Sequence, residues 1–240
     1  MSDGLLVALG FLSRIPVPAG VFARPGAQAR SLPWYPLVGL IIGTLLGALA
    51  WVLQESPPLL GAALLVGAWA WLSGGLHLDG LADTADAWVG GMGDRERTLA
   101  IMKDPRSGPA GVVALVLVLL LKFAALASLS APALVPLLLA PLLGRAALTA
   151  AFLSTPYVRA QGMGTALVGA SRWACVLAML ISLALTVIGG PRACWALLAV
   201  AVVFWLWRRA CLARLGGMTG DTCGALAEWV EVTVLVAMAL

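Results

Sequence analysis

Three aspartates, Asp79, Asp83 and Asp86, stand at i, i+4 and i+7 in this sequence. On an α-helix they fall within about 60° on one face. Like charges at that spacing repel, by roughly 0.2–0.5 kcal/mol per i,i+4 pair on an exposed helix and by more where water is scarce. A hard divalent cation is the natural compensation, because Mg²⁺ takes carboxylate oxygens and often substrate phosphates. The alternative is a wet acidic helix end whose charges meet Arg95, Arg97 and Lys103. Downstream, the stretch from Met102 to Gly108 holds Lys103, Asp104, Arg106 and Ser107. Lys103 suits phosphate as a point charge and Arg106 as a planar fork. Both also fit the basic belt that flanks membrane spans. Carboxylates, metal and basic groups facing one pocket are the parts phosphoryl transfer requires. His77, two residues before Asp79, is a candidate base, metal ligand or supporting donor.

A second acidic set lies near the C-terminus, at Asp221, Glu228 and Glu231. Gly74-Gly75-x-x-x-Asp79 and Gly216-Gly217-x-x-x-Asp221 align at a constant offset, and the same offset puts Glu228 on Asp86. Acids that begin an apolar run are costly unless they meet a cation or line a wet pocket. Asp221, with Glu228 or Glu231, is therefore expected to close the site of the first cluster from the opposite wall, binding a second Mg²⁺ or holding the substrate's polar groups. Acids near a helix N-terminus also gain roughly 0.3–1 kcal/mol from the helix dipole, which accounts for Asp221 alone but poorly for Glu231.

The elements that must position these groups are hydrophobic. The chain has 240 residues, 62% of them hydrophobic and only 11% charged, with a mean hydropathy of +1.01. Soluble domains carry roughly 25% charged residues, so most of this surface must meet lipid. Apolar runs at 36–53, 59–76, 109–129, 132–153, 173–190, 193–207 and 225–240 predict an all-α, polytopic bundle of about seven spans. Residues 1–240 read as a single integral membrane domain. Within it, 1–35 form an interfacial N-terminal segment and 77–108 a cytoplasmic catalytic segment. Gly39-x-x-x-Gly43-x-x-x-Gly47 predicts close helix packing. Lys122 and Arg145 fall inside spans, where a charge costs at least ~2.5–3.5 kcal/mol, so both should face the bundle interior. Arg145 lies nearer the cytoplasmic end and could turn toward the acidic site; a structural ion pair is the other reading for both.

The formal charge of +4 is accounted for by span-flanking residues and does not indicate nucleic acid. Cys175, Cys194, Cys211 and Cys223 form no Cys-x-x-Cys pair, so neither a zinc site nor a disulfide is indicated. If seven spans alternate, Arg14, Arg24, Arg30, Arg95, Arg97, Lys103, Arg106, Arg159, Arg172, Arg208, Arg209 and Arg214 share one face, with Arg192 alone opposite. That asymmetry places the N-terminus and the acidic segment in the cytoplasm.

The run His77, Asp79, Gly80, Asp83, Asp86 resembles the signature of the cobalamin synthase family, adenosylcobinamide-GDP ribazoletransferase. The resemblance extends in order along nearly the whole chain. It includes Phe11 to Pro18 with Arg14, Pro36 to Gly39, Met102 to Gly108, the pair Gly144-Arg145, and Gly220 to Ala225 with Asp221. The resemblance implies joining of α-ribazole, or its phosphate, to adenosylcobinamide-GDP with release of GMP. The product would be adenosylcobalamin or its phosphate. It further implies a need for Mg²⁺ and a place in the bacterial inner membrane. Asp79, Asp83 and Asp86 would then hold the metal against the diphosphate, while Lys103 and Arg106 would stabilise the leaving group; the base stays open between His77 and a carboxylate.

Two other functions fit the sequence less well. A CDP-alcohol phosphotransferase would continue Asp79-Gly80-Leu81-Ala82 with Arg, where this chain has Asp83. A transporter would carry its carboxylates at mid-depth rather than at one membrane face. Oligomerisation stays open. The topology is testable by single-cysteine labelling in a cysteine-free background. Position 96 should be reached from the cytoplasmic side and protected from outside, and the opposite pattern overturns the map.

Overall fold

A computed structural model describes residues 3–130, 133–159 and 164–240. Ten α-helices are present among them. They are α1 (Asp3–Leu12), α2 (Tyr35–Val52), α3 (Pro58–Leu72), α4 (Leu76–Gly90), α5 (Arg95–Ile101), α6 (Pro109–Ser128), α7 (Leu134–Ser154), α8 (Arg172–Ile188), α9 (Pro191–Leu215) and α10 (Gly220–Ala239). Five stretches are long and apolar enough to cross a membrane: Ala29–Val52, α6, α7, α9 and α10. The fifth apolar run, α8, is 17 residues long and falls short of that length. Residues 131 and 132, between α6 and α7, lie outside the described residues.

The second apolar run behaves differently from a simple span. Helix α3 stops at Leu72, and α4 leaves at 89° to it. The break is made by Gly74 and Gly75, at φ +67° and +71°, a region in which only glycine is comfortable. The segment from 77 to 90 is thus a helix, as the aspartate spacing requires, and it packs against α6 and α10. Arg14 closes the corner, with its backbone N–H bonded to Leu72 O at 2.8 Å and its side chain over Gly74.

Helix starts follow local chemistry. Pro58, Pro109 and Pro191 occupy first-turn positions, where a missing N–H costs nothing. Thr219 and Thr222 cap α10 reciprocally. Helices α7 and α10 are the most enclosed spans, while α6 and α9 turn many leucines, valines and tryptophans outward. Helix α2 packs on α7 through glycines. A Cβ at Gly39 would lie 2.2 Å from Pro141 O, and one at Gly43 would lie 2.6 Å from Leu137 O. Backbones this close gain dispersion contacts that a side chain would forbid.

Gly39→Leu should therefore lower stability by roughly 1–3 kcal/mol or more, read as a drop in thermal midpoint of the detergent-solubilised protein. Gly67→Ala, on α3 with open space around it, should stay within about 1 kcal/mol of the parent. Equal tolerance at both positions would remove Gly39 as a packing determinant.

Candidate functional site: an acidic cavity between α4 and α10

Helices α4 and α10 cross with glycine on both sides. A Cβ at Gly80 would sit 2.8 Å from Asp221 O, and one at Gly224 would sit 3.2 Å from the His77 backbone. The crossing sets Asp221 of α10 beside Asp79 and Asp83 of α4, close enough for each to feel the other's charge. Among the described residues neither Asp79 nor Asp83 has an ion-pair partner. Asp221 has one: Arg159 Nη2 donates to its Oδ2 at 2.6 Å. Three carboxylates thus share one guanidinium, an excess of two negative charges.

Arg159 is held from several directions. The segment from Pro156 to Val158 pairs with Met218 through Met218 N to Pro156 O at 2.8 Å and Val158 N to Met218 O at 2.9 Å. A second bond from Arg159 Nη2 reaches Met102 O at 3.3 Å. Its Nε is buried without a partner. Sequence reading had placed Arg159 only in the basic belt. The signal was hidden because a lone arginine in a connecting segment looks the same in either role.

Beneath these charges lies a cavity of about 330 Å³. His77, Asp79, Arg159 and Asp221 line it together with Phe11, Tyr35, Phe152 and Tyr157. The aromatic residues form two stacked pairs, Phe11 with Tyr35 at 6.3 Å and Phe152 with Tyr157 at 5.8 Å between ring centroids. His77 is 3% exposed, and its Nδ1 has no partner.

The remaining predicted residues have other surroundings. Asp86 lies one turn beyond Asp83 but turns its carboxylate to the start of α6. It accepts from Gly108 N–H at 2.6 Å and Gly111 N–H at 2.9 Å, so its oxygens satisfy orphan helix amides. A Cβ at either glycine would meet this carboxylate at 2.4–2.5 Å. Asp86 thereby anchors the loop that carries Lys103 and Ser107, both exposed. Arg106 is also exposed and forks onto Asp104, with Nε at 2.9 Å from Oδ1 and Nη2 at 2.6 Å from Oδ2. Those bonds hold the Asp104 carboxyl down at about 2. In this arrangement Arg106 is occupied within its own loop.

Neither Glu228 nor Glu231 joins the acidic cluster, contrary to the expectation that one of them would, and Arg145 takes the ion-pair reading rather than the acidic-site one. Glu231 is fully buried between Lys122 and Arg145 and pairs with both. Lys122 also lies 2.7 Å from Glu228 Oε2, an ion pair without good hydrogen-bond geometry. The Lys122 ammonium sits 4.6 Å above the Trp69 ring. Two cations and two carboxylates make this group neutral, which is what permits burial among spanning helices. Sequence reading grouped Glu228 and Glu231 with Asp221 because all three share α10. Their partners stand more than 80 residues away in sequence, and no local pattern reveals them.

Among the described residues no three His, Cys, Asp or Glu groups are arranged as a ready-made metal site. The carboxylates at the crossing, Asp79, Asp83 and Asp221, nonetheless offer oxygen donors with surplus negative charge, beside His77 and Cys223 in the cavity wall. That fits Mg²⁺, which keeps several waters and needs only one or two carboxylates plus substrate phosphate.

Residues 4–239 match the family model described as cobalamin-5-phosphate synthase. A Pseudomonas fluorescens protein named adenosylcobinamide-GDP ribazoletransferase is 55% identical over 240 residues, covering 98% of both chains. A protein of the same name from Pseudomonas paraeruginosa is 56% identical, covering 99% of this chain and 98% of its own. A third, from Stutzerimonas stutzeri, is 55% identical over 98% of this chain and 97% of its own. No solved structure matches.

Lys122→Met should cost roughly 3–5 kcal/mol by leaving buried carboxylates short of a cation. The pair Lys122→Met with Glu228→Gln should recover part of that loss. Unfolding of the purified variants checks both. Full stability of Lys122→Met with loss of turnover would instead put the buried group in the chemistry.

Proposed function

The chain belongs to the cobalamin-5-phosphate synthase family, and we propose that its acidic cavity is the active site of an adenosylcobinamide-GDP ribazoletransferase. The reaction transfers the adenosylcobinamide-phosphate group to a hydroxyl of α-ribazole or its phosphate, forming adenosylcobalamin or its phosphate late in cobalamin biosynthesis. The hydroxyl oxygen bonds to the phosphorus on the cobinamide side. The bond from that phosphorus to the bridging oxygen breaks, and GMP departs with the electron pair. The hydroxyl's proton passes to a group lining the cavity, where His77 and Asp79 both stand.

The observation that carries the reading is the charge imbalance at the α4–α10 crossing. Asp79, Asp83 and Asp221 face a single cation. An anionic diphosphate cannot approach three carboxylates unless their charge is offset, and the excess of two charges calls for a divalent ion. One or two of Asp79, Asp83 and Asp221 would hold Mg²⁺ together with substrate phosphate; Asp86 stays at the α6 amides. When bound, Mg²⁺ neutralises the diphosphate oxygens. Arg159 offers its free Nε to a phosphate oxygen, and Lys103 stands exposed on the loop that Asp86 and Arg159 anchor. Positioning of this kind is most of what phosphoryl transfer asks of a protein.

The helices place the enzyme in a membrane. Family membership supports the bacterial inner membrane, and the basic residues from Arg95 to Arg106 that follow the acidic helix support a cavity opening to the cytoplasm. Both substrates would then arrive from that side.

The reaction is tested by following GMP release from adenosylcobinamide-GDP and α-ribazole with the purified protein. Chelation should abolish turnover and Mg²⁺ should restore it. Asp83→Asn and Asp221→Asn should each lower turnover by about 10²-fold or more while the protein stays folded. Near-normal rates in either variant at saturating Mg²⁺ would sink the assignment of the metal.

A further inference from the structure

The cavity is smaller and more apolar than the reaction as a whole requires. Its volume of about 330 Å³ lies at the low end of ligand sites, which run roughly 300–1,000 Å³. A nucleoside fits in that space. A corrin ring with its side chains does not. Size therefore separates the two substrates before any chemistry is considered.

Resting on the reaction proposed above, we propose that this cavity is the acceptor subsite, and that it takes a nucleoside with a flat, apolar base. The base lies against the rings of Phe11, Tyr35, Phe152 and Tyr157, with Leu12 and Leu148 completing the wall. The sugar hydroxyls face the polar rim at Asp79, Arg159 and Asp221. The donor stays outside, with only its diphosphate reaching that rim.

Polarity argues against the other nucleoside in the reaction. Guanine has a polar edge, and burying it unpaired is costly. The carboxylates that could meet it, Asp79 and Asp221, are those at the reacting phosphate, so guanine would sit where the phosphorus has to be. The base of ribazole is a methylated benzimidazole whose one free polar atom is a ring nitrogen, against the several donors and acceptors of guanine. Rings and aliphatic side chains suit it, and aromatic stacking supplies affinity without needing directional bonds. The partnerless His77 Nδ1 leaves one polar contact for a sugar hydroxyl.

The test uses the full chain in detergent or nanodiscs. Phe152→Ala should raise KM for α-ribazole by roughly 5- to 150-fold, the span of base–aromatic stacking, while KM for adenosylcobinamide-GDP stays within about 2-fold. Phe152→Tyr, which keeps the ring, should restore the parental KM. Separately, α-ribazole alone should raise the thermal midpoint of the wild type but not of Phe152→Ala, and GMP should not displace it. A rise in KM for the donor instead, or displacement of α-ribazole by GMP, overturns the subsite. A wild type that binds α-ribazole through Phe152 yet releases no GMP supports the subsite and sinks the reaction. A wild type that neither binds α-ribazole nor turns over sinks both.

Discussion

Helices α4 and α10 meet where neither carries a side chain, at Gly80 and Gly224. The rest of the cavity depends on that contact. It brings Asp221 beside Asp79 and Asp83, and it seats His77 against α10. Substituting either glycine would wedge a Cβ against backbone, which cannot retreat as a flexible side chain can. The crossing also draws like charges together, so it is held against electrostatic repulsion. The reciprocal cap of Thr219 and Thr222 fixes the start of α10. Trp207 adds a bond from its indole N–H to Thr222 O at 2.9 Å, and the Pro156–Val158 segment pins the approach to α10 through Met218.

Charge is arranged differently at the rim and in the interior. At the rim, three carboxylates outnumber one guanidinium, and Asp79 is exposed, so water or an arriving cation can reach it. In the interior, Lys122, Arg145, Glu228 and Glu231 balance among themselves with almost no exposure. Low dielectric explains the contrast. An unpaired charge is tolerable at the rim but costs several kcal/mol inside. The two groups share α10, whose first turn serves the cavity and whose middle serves the bundle. A helix that must sit correctly for both is tied down by the neutral group, and Asp221 inherits that fixed position.

Much of this was legible in the sequence, and the failures have physical causes. Apolar runs pointed to the long helices, and the Gly39, Gly43, Gly47 spacing predicted close helix packing, which α2 makes with α7. The pattern around Asp79 and the offset to Asp221 pointed to one pocket, and the two aspartates do lie together. The bend before α4 was not read, because hydropathy carries on through Leu72 to Leu76 while direction changes at Gly74 and Gly75. Lys122 and Arg145 were read as interior charges, but Glu228 and Glu231 were assigned to the cavity. Periodicity places residues on a face of a helix; it does not say how far along the helix the cavity reaches. Arg159 was passed over because its partner, Asp221, is 62 residues away.

Asp86 shows that three acids on one helical face need not act as one unit. Spacing alone makes it equivalent to Asp79 and Asp83. Its surroundings do not, since the amides of Gly108 and Gly111 take both of its oxygens. Those amides begin α6, where the helix dipole also favours a negative charge. The repulsion expected of a third carboxylate is therefore answered within the protein, while that of Asp79, Asp83 and Asp221 is left for a ligand to answer. The anchored loop is then fixed at two points, by Asp86 near Gly108 and by Arg159 at Met102. Lys103 and Arg106 lie between those points. A motif that reads as a metal site thus divides into two jobs: holding surplus negative charge at the cavity, and holding the basic loop beside it.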